Sequence, residues 1–150
     1  MKLSHALATL FGIGRIHTAP GTVASLVATI AAWPIALWGG RLALLAAAVA
    51  ASAIGAWASE HYARDTRETD PSACVIDELA GQWIVCAFAP LFVFAYVVAF
   101  VLFRIFDILK PWPIGRLEHL PGGLGIMADD WGAAVYAGII IAGLAHAGIV

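Results

Sequence analysis

The side chains able to do chemistry in this 150-residue sequence are few, and four of its ten carboxylates form two adjacent pairs. Asp77-Glu78 stands at the head of one apolar stretch and Asp129-Asp130 at the head of another. Carboxylates next to apolar sequence are expensive to bury unless a cation faces them. A single acid there reads as a helix cap that complements the dipole. Two matched pairs read instead as oxygen ligands for a hard divalent cation. Between them, Arg104, Asp107 and Lys110 recur at every third position and so share a helix face. Taken alone they would form an interfacial salt-bridge ladder. Beside the acid pairs they suit a phosphate, Arg104 by its planar fork and Lys110 as a point charge. Gly12-Ile13-Gly14-Arg15, followed by Pro20-Gly21-Thr22, is a weaker anion-binding candidate. Glycines before a helix start leave backbone amides free, but such turns are common.

The elements that position these groups follow from composition. A hydrophobic fraction of 62%, a mean hydropathy of +0.90 and 12% charged residues cannot furnish a polar exterior. Lipid must do part of the solvating, and 150 residues hold a single domain, 1–150. Apolar runs cover 22–38, 42–58, 79–103 and 132–150, against the roughly 20 residues a helical crossing needs. Gly39-Gly40-Arg41 is long enough only for a tight turn, so the first two runs form a helical hairpin. Pro20 and Asp70-Pro71-Ser72 mark helix starts, and Lys110-Pro111-Trp112-Pro113 marks a helix end. A glycine turn at 122–125 is expected before the last crossing. The third run decides the topology. As one crossing it would divide the eight Lys and Arg residues four against four. If the chain turns back near Ala89-Pro90, seven share one side and Arg41 alone lies opposite, the asymmetry of a cytoplasmic face. All ten carboxylates lie between Glu60 and Asp130, and none interrupts an apolar run. No signal peptide is expected at the start. Cys74 and Cys86 show neither metal spacing nor a disulfide framework. The histidines have no metal spacing either, although His119 could donate a proton to a leaving group. Most of the six tryptophans read as an interfacial aromatic belt. No nucleic-acid partner is expected.

At this point the sequence resembles the bacterial A-type phosphatidylglycerophosphatases. The matching residues are Pro20-Gly21-Thr22-x-x-Ser25 and Asp77-Glu78-x-x-Gly81-x-Trp83. They continue with Phe103-Arg104-x-Phe106-Asp107-x-x-Lys110-Pro111-x-Pro113-Ile114 and Gly122-Gly123-x-Gly125-Ile126-Met127-x-Asp129-Asp130. His17 and Ala24 depart from the family's usual proline and glycine. The resemblance implies a Mg²⁺-dependent hydrolase of the bacterial inner membrane that converts phosphatidylglycerophosphate to phosphatidylglycerol. It also implies an all-α fold of about six helices: an N-terminal helix, two crossings, two arms of the Pro90-broken hairpin at 79–103, and a last crossing.

On this reading Asp77, Glu78, Asp129 and Asp130 hold Mg²⁺, with Asp107 a further ligand or orienting group. Arg104, Lys110 and the segment Gly21-Thr22, with Ser25 from the family motif, bind the phosphate. Either a carboxylate activates water, or an aspartate attacks phosphorus itself. Two other classes compete. A divalent-cation transporter would place acids inside the apolar spans, and there are none. A non-catalytic lipid-phosphate-binding protein would leave the acid pairs without a purpose.

Overall fold

The computed structural model describes residues 2–150, and among these residues the secondary structure is entirely helical. Helix α1 (Leu3–Ala8) and a 3₁₀ turn (Ile13–Arg15) lead into α2 (Pro20–Thr66). There follow α3 (Ile76–Phe88), α4 (Val93–Leu109), the short α5 (Ile114–Leu117) and α6 (Gly122–His146).

Helix α2 contains one non-helical residue, Gly40, at φ 71° and ψ −175°. That region is essentially closed to any residue with a Cβ. It divides α2 into arms 20–39 and 41–66, which pack on α3 in opposite directions. On the first arm Gly21 abuts Glu78, and the Trp83 indole N–H donates to the Ala28 carbonyl at 2.9 Å. On the second arm Leu44 lies beside Cys86, and Gly55 beside Ile76. The arms therefore form the expected hairpin.

The second expected hairpin is also present. Ala89-Pro90 breaks the run at 79–103, and α4 returns along α3, with Phe103 against Gly81 and Arg104 reaching Ser25. At 13 and 17 residues, α3 and α4 are about 20 and 26 Å long, short of the roughly 30 Å hydrocarbon layer. Helix α3 packs between α2 and α6, the two helices long and apolar enough to cross a membrane, while α4 lies against α3 and α6 with one apolar face outward. Helix α6 runs against the second arm of α2, with Gly123 at Glu60, Met127 at Gly55, and the Trp131 indole donating to Ser52 Oγ at 3.1 Å.

The packing is that of a membrane bundle. The enclosed residues are largely alanines, among them Ala24, Ala28, Ala48, Ala80, Ala99 and Ala134, while Ile30, Leu42, Val49, Phe94 and Ile139 face outward. Small residues let helices approach closely where no water drives association, and lipid covers the larger chains.

Four local expectations change. Asp70-Pro71-Ser72 does not start a helix. Val75 donates its amide to Ala8, Cys74 donates to Pro71, and α3 begins only at Ile76. Gly122–Gly125 is the first turn of α6 rather than a separate turn. A Cβ on Gly123 would strike the Ala56 carbonyl, and one on Gly125 would strike Leu120, so the glycines serve close helix contact. Asp129-Asp130 consequently sits two turns inside α6. Trp83 and Trp131 tie helices together, whereas Trp38, Trp57 and Trp112 are exposed as a belt requires.

Candidate metal and phosphate site

One end of the bundle closes around a cavity of about 400 Å³. Its walls come from the start of α2, the start of α3, the end of α4 and the second turn of α6. Each contributes a charged or amide-bearing segment because both hairpins return their ends to this level. Asp77, Glu78, Arg104, Asp107, Lys110, Asp129, Asp130, Gly21 and Thr22 all line it. Ser25 does not. It is fully buried below the cavity, donates to the Gly21 carbonyl at 2.9 Å, and accepts from Arg104 at 3.3 Å. Its place is that of a support for Arg104 rather than a phosphate contact.

The cations are held from behind. Arg104 donates to Asp107 Oδ2 at 2.5 Å, and both side chains are largely buried. Lys110, in a left-handed conformation at the end of α4, bridges Asp129 at 2.6 Å and Glu118 at 2.9 Å. Partial burial on its own would lower the Lys110 ammonium. The two carboxylates outweigh that and hold it above its ordinary range. The same contact holds the exposed Glu118 carboxyl below its usual value.

The acids divide into two overlapping groups. Asp77, Glu78 and Asp130 each offer an oxygen within 4.8 Å of the others, and so do Asp107, Asp129 and Asp130. In the second group Asp107 and Asp129 already face Arg104 and Lys110. Among the described residues the first group forms no ion pair, and Arg104, beside Glu78, is the cation nearest to it. Among the described residues five buried side-chain atoms lack any hydrogen-bond partner. Four of them belong to this cavity: Asp77 Oδ1, Glu78 Oε2, Asp130 Oδ2 and Arg104 Nε. Orphaned buried carboxylate oxygens cost free energy unless a cation completes them, so the donor set fits a hard divalent ion. An orphaned guanidinium N–H beside them suits an anionic oxygen.

The start of α2 supplies amides. Pro20 has no N–H, Val23 donates to Ala19, and the Gly21 and Thr22 N–H groups precede the first intrahelical bonds. Any side chain on Gly21 would collide with Glu78 Oε1, so glycine is what allows this end to reach the acids.

Two neighbours, Glu60 and Glu118, were not singled out in the sequence, and Asp70 was read only as part of a helix start. Glu60 accepts the Gly123 amide at 2.5 Å, Glu118 shares Lys110, and Asp70 lines the cavity. All three sit in polar segments, where only tertiary contact distinguishes a functional acid from a solvated one. His119 lies on the wall of a neighbouring cavity instead. Cys74 borders the site, but burial pushes its thiol up to about 12, so it stays protonated and no nucleophile.

A family model described as phosphatidylglycerophosphatase A matches residues 6–145. Phosphatidylglycerophosphatase A of Haemophilus influenzae is 41% identical over 140 residues, covering 91% of this chain and 85% of the relative. The Escherichia coli protein of the same name is 35% identical over 144 residues, covering 95% and 81%. A Bacteroides thetaiotaomicron protein, named provisionally as a phosphatidylinositol-3-phosphatase, is 38% identical over 143 residues, covering 91% and 89%. No solved structure matches significantly.

Proposed function

The chain belongs to the phosphatidylglycerophosphatase A family of phosphatases, and from that premise we propose that it hydrolyses phosphatidylglycerophosphate to phosphatidylglycerol and phosphate in a Mg²⁺-dependent reaction. The observation that carries the proposal is the convergence of three orphaned carboxylate oxygens and one orphaned guanidinium N–H on a single cavity.

Asp77, Glu78 and Asp130 would hold the ion. When bound, Mg²⁺ would supply Lewis-acid polarisation of the phosphoryl group and a lower pKa for a neighbouring water. The protein's own groups do the rest. Arg104, pinned by Asp107 and Ser25, and Lys110, pinned by Asp129 and Glu118, clamp the phosphoryl oxygens. The Gly21 and Thr22 amides add donors from the α2 start. Because both cations are preset by ion pairs, little reorganisation remains as negative charge builds on the oxygens. A carboxylate of the cavity accepts the proton of the attacking water.

The location suits a lipid phosphomonoester. Seven of the eight basic residues lie toward the site end and Arg41 at the other, which supports a multi-pass protein of the bacterial inner membrane with its site at the cytoplasmic face. The Bacteroides relative favours a second reading, in which a phosphoinositide monoester is the substrate.

Purified protein in mixed micelles should release phosphate from phosphatidylglycerophosphate with Mg²⁺ and lose activity when the metal is chelated. Phosphatidylinositol 3-phosphate should be a poorer substrate. Asp130→Asn should lower kcat by about 10²-fold or more, the scale of losing a key electrostatic group. Full activity without metal, or in Asp130→Asn, would refute the mechanism.

A further inference from the structure

Two cavities adjoin the catalytic one, and they differ in kind. The first, about 600 Å³, shares Asp70 and Asp129 with it and is lined by five carboxylates, with Arg64, Arg67 and His119 as its basic groups. That charge balance repels an anionic lipid. The second, about 390 Å³, shares Thr22, Arg104 and Ile108 with the catalytic cavity, and its other walls are Phe100, Val101, Ile105 and Leu109 of α4. Further along the same seam, between the first arm of α2 and α4, lies an almost wholly apolar cavity of about 610 Å³. Leu26, Ile30 and Trp33 form one side of it, and Val93, Tyr96 and Val97 the other. Thr22 and Leu26, like Val97 and Val101, are one helical turn apart, so the two cavities are stacked end to end.

We propose that this seam between the first arm of α2 and α4 is an acyl-chain groove, through which the lipid substrate reaches the site sideways from the bilayer. The proposal rests on the lipid-phosphatase reading and names the part of the substrate that the charged cavity cannot hold. From Arg104 to Val93 the groove is about 16 Å long. That is close to half of a roughly 30 Å hydrocarbon layer, the depth of one leaflet. Arg104 stands where groove and catalytic cavity meet, so a phosphoryl group on Arg104 puts the attached chains at the head of the groove. The walls are open apolar faces, with Val97, Val101 and Ile105 exposed and no other helix of the described residues laid over them.

Val101→Trp and Ile30→Trp fill the groove without disturbing the enclosed core, and Val135→Trp on α6 provides the same change on an unrelated outward face. Each would be assayed on diacyl phosphatidylglycerophosphate and on glycerophosphoglycerophosphate, which has the same headgroup and no acyl chains. The expected result is a tenfold or greater fall in kcat/KM for the diacyl substrate in the groove variants. The deacylated compound should be unaffected, and Val135→Trp should behave as wild type. Unchanged kcat/KM on the diacyl substrate, or an equal loss on both substrates, would overturn the groove while leaving the activity standing. Failure of the wild-type protein to hydrolyse either compound would instead refute the lipid-phosphatase reading. A turnover-independent check uses a phosphatidic acid carrying a photoreactive acyl chain. Labelling at Leu26–Ile30 or Val97–Val101 should be competed by excess unlabelled phosphatidic acid and not by phosphatidylcholine. Equal competition by both would mean that bulk lipid alone occupies the seam, and would overturn the proposal.

Discussion

Asp130 is the side chain common to both carboxylate groups, is only 2% exposed, and keeps an oxygen without a partner. Asp129, its neighbour in sequence, is already neutralised by Lys110. The two members of the pair therefore do different work, and substitution should separate them. Asp129→Asn should release Lys110 toward Glu118 and raise KM for the lipid more than Asp130→Asn does; steady-state kinetics reads the split. In Arg104, Nη1 alone bonds Asp107 and Ser25 while Nε stays free for a phosphoryl oxygen; Arg104→Lys keeps the charge but loses that planar division, and kcat/KM should fall about 10²-fold. Nine of the ten residues singled out by type and spacing line one cavity, because charged groups are conspicuous in so apolar a chain. Ser25 was misplaced among the phosphate contacts because a hydroxyl one turn below a glycine reads alike as ligand or as support. Only its buried bond to Arg104 distinguishes the two.

Among the helices, the breaks were more legible than the starts. Pro90 and the Gly39-Gly40 pair act through backbone conformation that few other residues permit, so their meaning is local. Gly40→Ala should destabilise the bundle by about 1–3 kcal/mol, since the φ 71°, ψ −175° conformation belongs essentially to glycine. Unfolding in detergent by denaturant titration would measure it. The start of α3 and the role of Gly122 and Gly123 were not legible, because both depend on distant partners: Ala8 for Val75, and Ala56 and Glu60 for the glycines. Gly123→Leu should accordingly part α6 from the second arm of α2 and displace Asp129 and Asp130 together. The expected outcome is loss of thermal stability along with activity. Glu60→Gln weakens the hydrogen bond to Gly123 and removes the i,i+4 ion pair with Arg64, and should cost on the order of 1 kcal/mol.

For the molecule as a whole, the return of residues 79–103 is what places Arg104, Asp107 and Lys110 at the same end as Asp77 and Asp130. Cysteines introduced at Glu68 and Arg116 should react with an impermeant maleimide from one side of sealed vesicles, and one at Arg41 from the other. The native Cys74 and Cys86 are buried and give a low background. Labelling of positions 68 and 116 from opposite sides would contradict the doubled-back fold. Arg41 itself rests its guanidinium 4.4 Å from the Phe88 ring centroid, at the tip where both hairpins turn. On the proposed topology it is the one Lys or Arg that would traverse the hydrocarbon layer during biogenesis, a barrier of about 2.5–3.5 kcal/mol on insertion scales. The hairpin of residues 20–66 carries that charge at its apex. On the proposed topology it can enter the bilayer as a unit with both ends on the site side, so no acid of the site needs to be translocated.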